Sequence, residues 1–381
     1  MATERPIDFD SLVREDETET RARHAGAEWG RASSRPVRHD DFTLDPGFEP
    51  YVPRFGRVDR FTDRYEDLPV HVTLLEDGVL FGQEFFVCDR RVPTSSDMRL
   101  YLANVAKLKA ANVSGERLDV PDGPLYLVGA SAPHKAFYHW CFQCLPSIAL
   151  LRDEARRRGR DYRIVLPPLD RTRRRSLELL GVEPDECLTL EPGRHLCGVP
   201  LLYTSATSGE YAFQPSRRLI ELLAPYRDAC LARASADLPR RFYVSRRDAP
   251  HKRPLENADE LRLALRARGY AELVMSELAL EDQVSLFAGA ESIVAPHGAG
   301  LVNLMFAPAS ARLVEIVPAH YRHACFFRLA QARRVRYAMV LSDMARENPD
   351  EPRHGSLLKV DVGKVLAMLE HDEGHGGRRA A

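Results

Sequence analysis

The chain has 381 residues, a formal net charge of −1, 44% hydrophobic residues and 29% charged residues. That length and apolar content suit about two packed domains. The near-zero charge excludes a global pull towards nucleic acid or anionic membrane, and no apolar run is long enough for a membrane span.

In chain order, residues 1–60 read as a polar N-terminal arm, weakly periodic and rich in charge. The second segment, 61–238, reads as an N-terminal α/β domain carrying a small β appendage. The appendage has strands at 70–74, 79–81 and 84–87, with Asp77 and Gly78 as a turn between the first two. A strand at 125–128 follows, then a helix over 137–158, interrupted or kinked near Pro146. Strands at 162–166, 187–190 and 197–204 alternate with helices at 170–180 and 216–234. After a linker at 237–241 the pattern restarts in a C-terminal Rossmann-like domain, 239–345. Its strands are expected at 241–245, 271–275, 292–295, 312–317 and 336–341. Its helices are expected at 259–268 (closed by Gly269), 281–290, 299–306 and 321–333. Residues 346–381 read as a final helix near 356–370 and a frayed tail. Strands alternating with helices imply parallel sheets covered on both faces. The expected fold is therefore α/β, with two Rossmann-like domains facing a cleft.

The seven cysteines are an odd number, and the first 40 residues lack the apolar core of a secretory leader, so reduced thiols in a cytoplasmic setting are expected. Cys141 and Cys144 form a C-x-x-C inside a predicted helix with no second pair, whereas a structural zinc site takes about four ligands. No metal is expected there. Asp8 and Asp10 have the spacing of a cation-holding D-x-D, but they sit in the arm and not after a strand. The Arg-dense stretch 152–175 reads as a solvated helix face.

Four features carry candidate chemistry. The strand at 292–295 runs into Pro296, His297, Gly298, Ala299 and Gly300, and a helix starts at once. A helix N-terminus presents unpaired N–H groups and a partial positive charge of roughly half a unit, a ready site for a diphosphate. Ser245 and Arg246 end the strand at 241–245, with Lys252, Arg253 and Asn257 in the loop beyond. Ligands of parallel α/β sheets bind past the carboxyl ends of strands, and an arginine there can fork onto phosphate. Glu315 lies near the end of the strand at 312–317, where a carboxylate can accept from ribose hydroxyls. His139, beside Trp140 at the start of the 137–158 helix, is either a base at a second carboxyl-end rim or a packed core residue.

Several runs together resemble glycosyltransferase family 61. They are Tyr243, Val244, Ser245 and Arg246; Arg253 and Asn257; Glu281 and Gln283 ahead of Phe287, Ala288 and Ala290; the 296–300 turn with Leu301, Asn303 and Phe306; and Val314, Glu315, Ile316 and Pro318. His139, Trp140, Leu145 and Pro146 match the N-terminal block of the same family. The resemblance implies a two-domain GT-B glycosyltransferase. It implies inverting transfer from a nucleotide sugar, usually a UDP-sugar, to an acceptor hydroxyl, with no cofactor and no required metal. The implied partners are that donor and a glycan, glycoconjugate or small-molecule acceptor. No nucleic acid or transmembrane segment is implied, and peripheral membrane contact stays open. By position, Ser245, Arg246, Arg253, His297, Gly298, Ala299, Gly300 and Asn303 would line the diphosphate. Glu315 would meet the ribose, and Asn257 and Gln283 would support the rim. The family's N-terminal block commonly has an acid where this chain has Gln143. Glutamine cannot accept a proton, so His139 becomes the candidate base. The alternatives are a weak or inactive nucleotide-sugar-binding relative and a nucleotide-sugar epimerase.

Overall fold

The computed structural model describes residues 28–31, 36–38, 42–46, 61, 64–66, 71–82, 85–89, 116–130, 132–204 and 215–370. Asp8 and Asp10 lie outside them. The chain divides into two compact units, one of residues 1–35 and 67–226, the other of residues 36–66 and 227–381.

The first unit is built on a mixed sheet. Strand β1 (His71–Phe81) is followed by β2 (Leu125–Val128), β3 (Tyr162–Leu166), β4 (Cys187–Thr189) and β5 (Arg194–Thr204). The spatial order is β1-β5-β2-β3-β4, with β5, β2, β3 and β4 mutually parallel and β1 antiparallel to β5. The expected β appendage is thus an integral part of the main sheet. Asp77 and Gly78 form no turn, because β1 runs straight through them. Gly78 serves a close approach instead: a Cβ there would come within 2.7 Å of Leu201 Cδ1 on β5. The buried strand β2, Leu-Tyr-Leu-Val, is apolar throughout, as a central parallel strand covered on both faces must be.

Helix α1 (137–157) is continuous where a break was expected, but the turn Trp140–Cys144 is π-helical. Pro146 has no N–H to give the carbonyl four residues back. The helix adapts by widening: Leu145 N–H bonds Trp140 O, and the Ser147 hydroxyl donates to Gln143 O at 2.7 Å. Helix α2 (Arg171–Leu179) starts at an N-cap, Asp170, which accepts from Arg173 N at 2.8 Å. The expected helix at 216–234 is two short ones, Arg217–Glu221 and Ala224–Leu231, with Pro225 opening the second.

The second unit holds the more regular sheet. Its strands are β6 (Arg241–Ser245), β7 (Ala271–Val274), β8 (Ser292–Pro296), β9 (Arg312–Pro318), β10 (Arg336–Arg346) and β11 (Leu357–Val360). Their order is β7-β6-β8-β9-β10-β11, parallel except for β11. Helices α3 (Ala258–Arg266), α4 (Leu280–Ala288), α5 (Cys325–Arg333) and α6 (Val362–Glu370) complete the unit, with a 3-10 helix at Ala299–Phe306 where an ordinary helix was expected. Leu261 and Leu265 of α3 pack with Val294, Val314, Val340 and Val365 in one buried cluster. Each such side chain contributes roughly 1.5–3 kcal/mol by leaving water.

The segment expected as a final helix near 356–370 begins as β11, an edge strand with Leu358 and Val360 turned into the core, and only then becomes α6. Residues 357–370 therefore belong to this sheet and its core. Described pieces of the expected arm also enter sheets: Glu28–Arg31 pairs with β1, and Phe42–Thr43 pairs with β10. Among the described residues no helix is long and apolar enough to cross a membrane.

Candidate functional site

The second sheet has a switch point. From β6 the chain moves outward to β7, then returns across β6 to β8 and continues the other way. Connections leaving the carboxyl ends of β6 and β8 diverge, and ligands of open α/β sheets bind beyond such a switch point. The residues read as ligand-binding from the sequence leave these two ends: Ser245 and Arg246 from β6, His297 to Gly300 from β8.

Arg246 is held in a fixed pose. Its guanidinium donates to Lys252 O at 2.9 and 3.2 Å and to His297 O at 3.2 Å. A Cβ at position 298 would coincide with Arg246 Nη1, so glycine is required there to admit the guanidinium. This differs from the expected reason, free approach of backbone to ligand. Gly300 is tight for packing reasons too: a Cβ would sit 3.1 Å from Met275 Cγ and 3.2 Å from Val244 Cγ1. Ala299 is exposed at the start of the 3-10 helix, whose first N–H groups have no acceptor within the helix.

Arg253 sits in the left-handed region, with φ of 55°. Its backbone N–H bonds His354 O, its Nη1 meets His354 Nδ1 at 2.9 Å, and its guanidinium lies over the Tyr321 ring at 5.4 Å. Arg353 covers Tyr321 as well, at 4.6 Å, and donates to its hydroxyl at 3.2 Å. Tyr321, His323 and Phe326 surround the His297 ring, with centroids 5.8, 6.2 and 5.1 Å away.

His297 is tied to Glu315 through Nδ1 and Oε1, 2.6 Å apart, and Tyr337 donates its hydroxyl to the other oxygen, Oε2, at 2.7 Å. Glu315 is completely enclosed, with 0% exposure. The expected ribose contact is therefore corrected: both carboxylate oxygens are spent inside the protein, and Glu315 stands behind His297.

The charges are strongly unbalanced. Burial and the neighbouring Arg253 push Arg246 down to about 10, and burial lowers Arg253. Burial, then Arg253 and Arg246, holds His297 well below the usual histidine range. Burial raises Glu315 to about 8 against the opposing Tyr337 hydrogen bond and Arg253. Burial, with Arg253 and Arg353, takes His354 down to about 4. Arg253 depresses Arg246 and Arg353 depresses Arg253, and half-buried cations crowded in this way favour an anion beside them, which relieves the repulsion and replaces lost hydration.

Asn303, expected to line the diphosphate, has structural work instead, beside Gln283 and Asn257, which were expected to support the rim. The Gln283 amide donates to Met275 O at 2.8 Å and Leu278 O at 3.2 Å, and Asn303, 2% exposed, donates to Gln283 Oε1 at 3.4 Å. These two tie the 3-10 helix Ala299–Phe306 to a second one, Met275–Glu277, so Asn303 does not line the site. Asn257 bonds the backbone of Val360 in both directions, at 2.8 and 3.2 Å, and so ties α3 to β11. Ser245 is buried at the end of β6.

Tyr321, His323, Tyr337, Arg353 and His354 were missed in the sequence. Tyr321 and His323 follow the carboxyl end of β9, so the rule that selected Arg246 and His297 would have found them. Arg353 and His354 precede β11, in the stretch read as a tail.

In the first unit, the carboxyl ends of β2 and β3 carry a second rim. His139 is half-buried there, its Nδ1 2.9 Å from Gln143 Oε1, and burial lowers its pKa against that hydrogen bond. Since an amide oxygen only accepts, Nδ1 is the protonated nitrogen and Nε2 carries the lone pair. Trp140 Nε1 donates to Ser176 Oγ at 2.9 Å and locks α1 onto α2. A cavity of about 320 Å³ opens on this rim between Lys135, Pro167, Pro168, Asp170 and Arg173. Cys141 and Cys144 are buried, and among the described residues no His, Cys, Asp or Glu cluster could hold a metal ion. Arg152 and Arg156 bind Glu186 at 2.7 and 2.8 Å, and Arg157 and Arg158 bind Glu154 at 2.6 Å, so the α1 arginines of the Arg-dense stretch pair within the fold.

No curated protein matches the chain. The model of the family described as Glycosyltransferase 61 matches residues 137–314, from the first residue of α1 to the residue before Glu315. The matched span contains both rims, with His139 in one and Arg246, Arg253 and His297 in the other, and residues 137–314 belong to glycosyltransferase family 61.

Proposed function

We propose that the protein transfers a sugar from a nucleotide-sugar donor, a UDP-sugar, to an acceptor hydroxyl with inversion and without a metal. In this reading the two units are the two halves of a GT-B enzyme. The supporting observation is the basic nest at the switch point, where Arg246, Arg253 and His297 converge beside the start of the 3-10 helix. Arg246 and Arg253 offer positive charge, and His297 a neutral polar edge, where a departing diphosphate gathers negative charge, the role a divalent cation plays elsewhere. His139 is the base: Nδ1 is committed to Gln143, and Nε2 takes the proton as the acceptor oxygen attacks C1 opposite the diphosphate. Its lowered pKa keeps it neutral at pH 7.

A thermal-shift series with UDP, GDP, CMP and dTDP and their sugars, in chelator, tests the donor site, since a ligand raises apparent stability by mass action. A melt unmoved by every nucleotide would sink the proposal. A second reading is a nucleotide-sugar-binding relative without turnover, which the glutamine at 143 favours. Nucleotide binding with no transfer across an acceptor panel would select it.

A further inference from the structure

The hydrogen-bonded chain Tyr337–Glu315–His297 runs across three adjacent strands. Glu315 on β9 lies opposite Ala295 of β8 and Met339 of β10, and Leu313 lies opposite Tyr337. The pleat therefore puts Glu315 and Tyr337 on one face, and His297 follows directly from the end of β8. This register lets one carboxyl meet a phenol on one side and an imidazole on the other. The two contacts, 2.6 and 2.7 Å, use both carboxyl oxygens. The second imidazole nitrogen, Nε2, has no partner among the described residues, and it is not one of the buried polar atoms left unpaired.

Where the proton sits decides what His297 can do. An isolated carboxylate in a dry interior costs several kcal/mol unless a cation pairs with it. No Lys or Arg forms an ion pair with Glu315 among the described residues. Its only basic contact is an imidazole that is itself buried. Arg246 and Arg253, from the loop after β6, oppose a positive charge on that ring. The other groups facing the pair are Tyr321 and His323 after β9, Cys325 on α5, and Arg353 and His354 before β11. None of them supplies a fixed anion that would favour an imidazolium. The Tyr337 hydrogen bond and the charge of Arg253 favour the carboxylate, but the complete burial of Glu315 outweighs them, and burial penalises the imidazolium as well, so the proton rests on the acid.

We infer that Glu315 is a neutral carboxylic acid that donates Oε1–H to His297 Nδ1, locking His297 as the Nε2–H tautomer, a fixed neutral donor for a phosphate oxygen, with Tyr337 as the positioning residue. The phosphate role rests on the proposed donor reading, but the tautomer does not. The direction of the Glu315 shift, up to about 8 through burial, agrees with the assignment. Above that pH the acid ionises, Nδ1 takes the remaining ring proton to answer the carboxylate, and Nε2 loses its hydrogen.

The test is a ¹⁵N-histidine spectrum of the full chain recorded from pH 6 to 9. His297 is assigned by its loss in His297→Gln and, should that variant misfold, by the signal that moves in Tyr337→Phe. The expected result at pH 7 is an unprotonated Nδ1 and a protonated Nε2, with a transition near pH 8 that is absent in Glu315→Gln. The amide that Glu315→Gln introduces can donate to Nδ1 while accepting from Tyr337. Tyr337→Phe should move the transition to higher pH, because the phenol's hydrogen bond favours the carboxylate. A protonated Nδ1 at pH 7, in a neutral or a charged ring, overturns the inference. UDP titrations of the same proteins form a second arm, with affinity expected to fall above pH 8 in the wild type and to hold in Glu315→Gln. If the tautomer is found and UDP binds at no pH, the donor reading fails alone. If UDP binds and Nδ1 is protonated at pH 7, the inference fails alone.

Discussion

The two rims use the same architectural position in opposite ways. At the carboxyl ends of β6, β8 and β9, polar groups are locked to one another: Arg246 onto two carbonyls, His297 onto Glu315, Glu315 onto Tyr337. At the carboxyl ends of β2 and β3, His139 meets a neutral amide, and the cavity beside Lys135 and Arg173 stays open. A locked basic nest suits one invariant anion, because its geometry is set before the ligand arrives. An open rim with a neutral base suits a ligand whose identity varies. Within the proposed function the first is the donor's diphosphate and the second is the acceptor.

The comparison breaks most sharply at Arg246. Arg246→Ala should lower turnover by about 10²–10³ while leaving the melting temperature nearly unchanged, as for loss of one preorganised donor. Near-normal turnover in a folded variant would remove the nest from the chemistry. Gly298→Ala should mimic it without touching a charge, since the new Cβ evicts the guanidinium. If Gly298→Ala binds UDP as the wild type does, the tight placement of Arg246 has no functional meaning.

A comparable loss, about 10²–10⁴, is expected for His139→Ala, with nucleotide affinity retained. Full activity would free His139 for the packing role. Gln143→Glu sharpens the same point. A carboxylate beside Nδ1 favours the imidazolium, so the histidine's pKa rises and the acid limb of the kcat/KM profile moves to higher pH. An unmoved limb would mean that His139 is not the group titrating.

A smaller effect concerns stability against pH. Glu315 has a folded pKa raised to about 8, above its unfolded value, so the native state holds this proton more tightly. The stability it lends is complete below the ordinary carboxyl range and lost as pH rises through about 8. Melting temperature should therefore fall from pH 7 to 9 and fall less in Glu315→Gln. Equal slopes would show that Glu315 does not titrate there. The smallest expected change is Ser176→Ala, which leaves Trp140 Nε1 unpaired and should cost about 1–3 kcal/mol of stability with donor affinity unaltered. Altered UDP binding in that variant would link α2 to the donor site.

Much of the second unit was legible because its signals are local. Apolar runs of four to seven residues, Gly269 at a helix end and the turn at 296–300 each announce themselves within a few residues. The first unit was less legible. Asp77 and Gly78 carry a turn signature, yet Gly78 answers to Leu201 on a strand far along the chain. Pro146 signals a break, yet a π turn and the Ser147 hydroxyl absorb it. Residues 357–360 end as a strand because β10 offers them an edge, which no local pattern reveals.

The sequence by itself determined the parallel α/β character, the strand ends that carry the candidate site and the family match of residues 137–314. Those follow from periodicity and short motifs, which need only neighbouring residues. What each site residue does was decided by tertiary structure. Glu315, Asn303 and Gln283 are polar residues near a phosphate turn, and the sequence cannot say whether they face a ligand or one another. Sheet order and register settle it by setting Glu315 between His297 and Tyr337 and Asn303 against Gln283. The physical reason is that a buried polar group must find its partner wherever the fold puts one, and here those partners lie on other strands and helices.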